Sequence, residues 1–421
     1  IWRRVGIKKN CRLYKKHKIM KPEVVIIGLG YIGLPTSALI ASHGTNVLGV
    51  DINQKVVDTI NQGKIHIVEP DLDEIVSKVV SNGFFKASTK SISADVYLIV
   101  VPTPFKGNHE PDISFIKAAT EGIIPILKKG DLYIIESTSP IGTTEKMQKL
   151  IFEERPELKG NISIAYCPER VLPGNVMHEL VYNDRVIGGV DEKSTKKAIS
   201  FYAKYIKGDL HSTNSKTAEM CKLVENSSRD VQIAFANELS LICDKAKINV
   251  WELINLANKH PRVNILQPGA GVGGHCIAVD PYFIVSDYPL ESNIISTARE
   301  VNNYKPFWCA EKIQNLILSF ELKYSRKPVI SICGLAFKPN IDDLRESPAL
   351  QIAEKIKNTY SKENIYYLEP NIEYHKEFQI TKFIDIKDEI DLAFILVNHR
   401  EFQKYKWSES TQVTSFVNDL T

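Results

Sequence analysis

The stretch Val24-Val25-Ile26-Ile27-Gly28-Leu29-Gly30-Tyr31-Ile32-Gly33 runs from a β-branched segment into a Gly-x-Gly-x-x-Gly turn, and Leu34 to Ala41 continues it with helical character. A strand that breaks on glycines into a helix opens a doubly wound α/β sheet, because the glycines allow the tight turn and the close return of the helix. A second strand, Asn46 to Val50, ends at Asp51, 18 residues beyond Gly33. Backbone amides at such a turn suit a pyrophosphate, and a carboxylate on the next strand suits ribose hydroxyls while repelling a 2′-phosphate. The pattern predicts an NAD cradle built from Gly28, Gly30, Tyr31, Ile32, Gly33 and Asp51. The alternative is a tight turn that holds no ligand.

Buried-strand runs follow at Val96 to Val101 and Leu132 to Glu136, separated by amphipathic stretches. From Thr213 to Ile248 the apolar residues Met220, Leu223, Val224, Val231, Phe235, Leu239 and Ile242 recur mostly at three- and four-residue steps, the mark of one long helix. A second helical stretch spans Ile294 to Phe320. Alternation then resumes with Val329 to Cys333, a helix from Pro348, Ile365 to Leu368 and Leu392 to Val397. The expected fold class is α/β, with two Rossmann-like doubly wound parallel-sheet domains joined by a helical middle that holds one long helix. The expected boundaries are 20–212, 213–326 and 327–421, after a basic head at 1–19. Thr103 and Thr138 follow strands of the first sheet and are read as cofactor-loop residues or as helix caps.

The 421-residue chain is 43% hydrophobic and 24% charged, enough to bury more than one core. Its net charge of +3 is uneven, since Arg3, Arg4, Lys8, Lys9, Arg12, Lys15, Lys16 and Lys18 stand in a head without acids. The remainder is net acidic, which argues against nucleic acid as a partner. Met20 is read as the natural start and the head as upstream read-through. The apolar runs fall short of the roughly 20 residues of a bilayer span, so no membrane insertion is expected. Seven cysteines lack C-x-x-C spacing, which points to the reducing cytoplasm and away from disulfides or a metal site.

Gly271-Val272-Gly273-Gly274-His275-Cys276 sets a cysteine behind a glycine loop, with Asp280 four residues on. A thiolate beside closely packed backbone amides can attack a carbonyl carbon, whereas most free cysteines are inert core residues. Lys222 and Asn226 share one helix face with Glu219 a turn earlier, able to hold a hydroxyl or a water, or forming a solvated stripe. In Cys167-Pro168-Glu169-Arg170, Glu169 is a candidate base toward water or a surface partner of Arg170. Lys338 and Arg345, near Phe337, suit phosphate or sugar contacts, or face solvent.

These segments together resemble the UDP-glucose/GDP-mannose dehydrogenase family from Met20 onward. The resemblance includes Val101-Pro102-Thr103-Pro104-Phe105-Lys106-Gly107, Glu136-Ser137-Thr138-Ser139-Pro140, His260-Pro261-Arg262-Val263-Asn264 and Phe337-Lys338-Pro339-Asn340. It implies four-electron oxidation of a UDP sugar's primary alcohol, with two NAD and one water consumed. Lys222, Asn226 and Asp280 would manage the first proton transfer, and Cys276 would capture the aldehyde. Glu169 and Thr138 would direct the hydrolytic water. The resemblance adds Thr103, Thr138 and Arg345 as cofactor contacts. It gives Glu169, Arg170, Lys222, Asn226, Arg262, Asn264, Gly273, Phe337 and Lys338 as substrate contacts. Arg262 would reach a neighbouring subunit, implying a homodimer or higher oligomer. His275 and Val279 point to the acetamido-sugar branch and to UDP-N-acetyl-D-mannosamine as substrate. The competing readings are another UDP sugar, a two-electron β-hydroxyacid dehydrogenase, and an NAD-binding regulator without activity.

Overall fold

A computed structural model describes residues 21–107, 109–171, 174–360, 364–386 and 388–418. The basic head and the extreme C-terminus therefore lie outside the described residues. The chain divides into two units. The first holds residues up to 102, 116–137 and 144–214, and the second holds 103–115, 138–143 and 215–421. The loops carrying Thr103 and Thr138 thus belong to the second unit although their sequence lies within the first α/β half. The helical middle and the C-terminal α/β region fall in the same unit.

The first unit is built on β1 (Val24–Ile27), β2 (Val47–Val50), β3 (Phe85–Ser88) and β4 (Val96–Ile99). A small antiparallel hairpin of β5 (Phe105–Lys106) and β6 (Glu110–Pro111) interrupts the series and belongs to the second unit. The first sheet then continues with β7 (Leu132–Ile135), β8 (Ser163–Tyr166), β9 (Arg185–Gly189) and β10 (Leu210–Asn214). Its order is β10-β9-β8-β7-β4-β1-β2-β3. Pairing is parallel except between β8 and β9, so β9 and β10 run against the others and the sheet is not wholly parallel. Ile26, Leu98 and Ile134 are fully buried, and helices on both faces explain why the central strands read as continuous apolar runs.

Gly28 has φ +96°, and a Cβ on it would stand 2.2 Å from the Val100 carbonyl oxygen. A Cβ on Gly33 would stand 1.8 Å from the Gly28 oxygen. Both positions demand glycine because the turn closes on its own backbone.

In the second unit, β11 (Ile330–Cys333), β12 (Ile365–Leu368), β13 (Leu392–Ile395) and β14 (Gln412–Ser415) form a parallel sheet of order β12-β11-β13-β14. The strand-to-glycine turn recurs there. Gly334 has φ +94°, with room for a Cβ only 2.4 Å from that of Val397. Glu369, after β12, accepts the Leu335 and Ala336 amides at 2.7 and 3.1 Å. It also faces the buried His399 at 3.2 Å.

Two helices of 32 residues each, Ser215–Ala246 and Asn293–Tyr324, pack together in this unit. Apart from Leu223, the buried face of the first is small or polar, including Ala218, Glu219, Ser227, Asp230, Ala234, Asn237 and Ser240. Asp230 pairs with Arg299 at 2.7 Å, Asn237 bonds Asn302 at 2.9 Å, and Lys305 donates to Ser240. Of the apolar positions that predicted the helix, Val224, Phe235 and Ile242 are 39%, 53% and 55% exposed. Of the seven apolar positions that predicted the helix, only Leu223 is fully buried.

Burial works to raise the Glu369 carboxyl, but the His399 hydrogen bond and charge and the loop amides prevail and hold it below its ordinary value. A depressed carboxyl contributes stability above its unfolded value, and that contribution is lost as pH falls through its folded value. Glu369→Ala leaves the Leu335, Ala336 and Asn371 amides and His399 Nε2 without this carboxylate, with an expected cost of about 3 kcal/mol in urea unfolding. The difference between variant and wild type should shrink on acidification below about pH 4.

Candidate active site

Two constellations emerge, one in each unit. In the first, the helix Gly33–Ser42 starts at Ile32 without a side-chain cap and without an acidic residue in its first turn. Its positive end is therefore left for an external anion. A Cβ at Gly30 would meet nothing within 4 Å, so the turn is closed against the protein and open on its other side. Asp51 accepts the Leu29 amide at 3.1 Å and the Asn53 amide at 2.9 Å, which fixes its carboxylate at the end of β2. These features fit a dinucleotide. His66, which sequence reasoning missed, lies within the field of Asp51, and burial holds it below its ordinary pKa.

Glu169 and Arg170 also lie in the first unit. Glu169 is 8% exposed, with Oε2 on the Arg185 guanidinium at 2.6 Å and Oε1 accepting the Arg170 amide at 2.7 Å. The surface pairing with the Arg170 side chain is replaced by a buried pair with Arg185, a partner 16 residues away that only the β8–β9 pairing delivers. Glu136 is buried with Tyr202, whose hydroxyl donates to it at 2.5 Å. Burial, opposed by Arg185 and reinforced by Glu169, raises the Glu136 carboxyl to about 7.

The second unit gathers Lys222, Asn226, Cys276 and Asp280. Lys222 and Asn226 lie on the helix Ser215–Ala246, and Asp280 opens the short helix Asp280–Asp287. Asn226 Nδ2 donates to Asp280 Oδ2 at 2.5 Å, and the Asp280 amide bonds the Cys276 carbonyl at 2.8 Å. Asp280 is 2% exposed, and burial raises it to about 6 against the Lys222 charge and the Asn226 hydrogen bond. For Cys276, burial and then Asp280 raise the thiol to about 11, with Lys222 and Arg345 opposing. At neutral pH the resting site is a thiol beside a carboxylate. Burial, followed by the Arg345 charge, also holds His275 below its ordinary pKa.

The glycine loop is seated on the C-terminal region. A Cβ on Gly273 would stand 2.5 Å from the Glu346 carbonyl oxygen and 2.7 Å from the Phe337 Cβ. Gly274, at φ +84°, would place one 2.8 Å from the Phe337 ring, and its amide donates to the Arg345 carbonyl at 3.0 Å. Phe337 and Arg345 thus come together with Cys276, whereas Lys338 stands exposed. The turn after Phe337 is pinned at Asn340, whose amide reaches His399 Nδ1 at 3.0 Å and so connects to Glu369. Glu369 and His399 carried no motif in the sequence, since their role depends on three strand ends meeting. Arg262 and Asn264 are exposed on a loop braced by Asn258, which exchanges two hydrogen bonds with Ile265. Thr103 and Thr138 are half-buried in their loops and lie outside any helix. Among the described residues no His, Cys, Asp and Glu group is arranged to hold a metal ion.

The chain matches the NAD binding domain of the UDP-glucose/GDP-mannose dehydrogenase family over residues 22–206, the central domain over 216–304 and the UDP binding domain over 331–420. A UDP-N-acetyl-D-mannosamine dehydrogenase of Escherichia coli (strain K12) is 54% identical over 396 residues, covering 90% of this chain and 94% of the relative. One from Campylobacter jejuni is 53% identical over 410 residues, covering 94% and 98%. The solved structure of a UDP-D-ManNAc dehydrogenase from Pyrococcus horikoshii superposes with a TM-score of 0.84 at 38% identity, covering 94% of this chain and 95% of that one. With all three domain matches in order along the Gly28 turn, the Cys276 loop and the C-terminal sheet, this chain belongs to the UDP-glucose/GDP-mannose dehydrogenase family and carries its NAD-binding domain.

Proposed function

We propose that this protein oxidises the 6-hydroxyl of UDP-N-acetyl-D-mannosamine to the carboxylate, giving UDP-N-acetyl-D-mannosaminuronate through a covalent Cys276 intermediate. The observation that carries the mechanism is the cluster of half-buried Cys276, Asn226 and Lys222 around the buried Asp280. The names of the relatives support the substrate. NAD, when bound, accepts one hydride in each of two oxidations. Asp280, a carboxylate above about pH 6, works with Asn226 and Lys222 to take the hydroxyl proton, directly or through a water. The Cys276 sulfur adds to the resulting aldehyde as its own proton leaves, and the Lys222 ammonium stabilises the oxyanion. The second oxidation turns the thiohemiacetal into a thioester. Water then adds to that carbonyl, the C–S bond breaks, and Cys276 leaves as a thiolate. Glu169 and Thr138 are assigned to that water. Gly28, Gly30, Tyr31, Ile32, Gly33, Asp51, Thr103, Thr138 and Arg345 are assigned to the cofactor. Arg170, Gly273, Phe337, Lys338 and Asn264 are assigned to the UDP sugar.

We further propose a homodimer. Val224, Phe235 and Ile242 are spaced 11 and 7 residues apart along the helix Ser215–Ala246 and form one exposed apolar stripe. Arg262 is assigned to the partner's sugar site. The described cysteines are free thiols, which supports a cytoplasmic setting, and no described helix is long and apolar enough to cross a membrane.

A panel of UDP sugars with NAD tests the substrate. The N-acetylmannosamine sugar should give its uronate with two NADH per molecule, and Cys276→Ser should form no acid while still binding NAD. One NADH per substrate would support a two-electron enzyme instead, and preference for another sugar would move the specificity. Alkylation of Cys276 by iodoacetamide should be slow at pH 7 and climb toward about pH 11, while kcat/KM should fall on acidification through about pH 6. Phe235→Asp together with Ile242→Asp should sediment as a monomer if the stripe is the subunit contact.

A further inference from the structure

The short helix Asp280–Asp287 is held to its unit by a closed circuit of side chains. At one point Asn226 grips Asp280. At the other, the Tyr282 hydroxyl accepts from Asn303 Nδ2 at 2.7 Å, and the Arg299 guanidinium lies over the Tyr282 ring at 5.4 Å. Arg299 donates from one arm to Asn303 Oδ1 at 2.5 Å and from another to Asp230 Oδ1 at 2.7 Å. Asp230 is fully buried and stands one helical turn after Asn226. The path from Asp280 to Asn226, along the turn to Asp230, and through Arg299, Asn303 and Tyr282 returns to Asp280.

Stability alone is a poor reason for this pair. A buried ion pair contributes little over apolar residues of equal volume, and here Asp230 Oδ2 and Arg299 Nε have no hydrogen-bond partner. The charges are arranged instead so that one guanidinium reads two helices at once. Asn302 adds a further donor to Asp230 Oδ1 at 2.8 Å, locking the acid's orientation.

We propose that Arg299 is a positioning residue for the Asp280–Asn226 pair, holding Asp280 in register through Tyr282 and Asn303. This rests on the role assigned to Asp280 above. Arg299 need not touch substrate or cofactor. Its effect is to keep the first turn of the short helix against the long one, so that Asp280 stays buried with its acceptor oxygen on Asn226. The charged and titratable groups facing Asp280 are Lys222 on the long helix and Cys276 on the glycine loop, and the second long helix acts through Arg299 on Asp230.

Two variants test it in the full-length protein. Tyr282→Phe keeps the ring under Arg299 and removes only the bond to Asn303. Arg299→Lys keeps the charge facing Asp230 and loses the fork that reaches Asn303. With NAD affinity retained and circular dichroism unchanged, both should lower kcat about tenfold while KM for the UDP sugar moves little. In both, the acid limb of kcat/KM should move to lower pH, because a loosened helix admits water to Asp280 and relieves its burial. Asp280→Asn serves as the reference. If it is inactive while both folded variants keep the wild-type kcat and acid limb, the role of Arg299 is overturned and that of Asp280 stands. An active Asp280→Asn would overturn both.

Discussion

The contact on which the rest of the active region depends is the seating of Gly273 and Gly274 on Phe337. Neither glycine can carry a Cβ, since it would meet the Glu346 carbonyl or the Phe337 ring. That contact fixes the loop immediately before Cys276 against the C-terminal region, with the Arg345 carbonyl taking the Gly274 amide. Phe337 is itself supported from below. Asn340 ties its turn to His399, and His399 ties to a carboxylate that also orders the Leu335 and Ala336 amides. The strand ends of the region that matches the family's UDP binding domain thus also hold the Cys276 loop in place.

Electrostatics at the cluster follow from burial more than from pairing. Cys276 and Asp280 are both pushed toward their neutral forms, and the nearby Lys222 offsets only part of that. The thiol is therefore held in its protonated form at rest. The same unit spends polar groups freely elsewhere. The long helices meet through Asp230, Arg299, Asn237, Asn302, Ser240 and Lys305, while Val224, Phe235 and Ile242 of the first stay exposed.

Much of this was legible in the residues themselves. Gly28 and Gly33, with Asp51 after the next strand, mark the cofactor turn because a side chain at either glycine would clash with the backbone, and Gly273-Gly274 before His275-Cys276 mark a loop that admits no side chain for the same reason. The order of strands and helices, and the presence of a long helix, follow from apolar periodicity. Periodicity reports only how a segment alternates, however. It cannot tell that Val224, Phe235 and Ile242 stay exposed, and it cannot see that β9 turns back against β8.

Partners far apart in the chain were decided by tertiary structure alone. Glu169 looked toward its neighbour Arg170, yet the reversed strand brings Arg185 to it. Glu369, His399 and Arg299 stand in no motif, because their chemistry exists only where separate strand ends or helices converge. The local backbone demands of glycine and the alternation of apolar residues are properties of a short stretch, so the sequence by itself determined the turns and the elements. Burial, charge pairing and the resting states of Cys276 and Asp280 depend on what the fold removes from water and what it places beside them, which only the assembled structure decided.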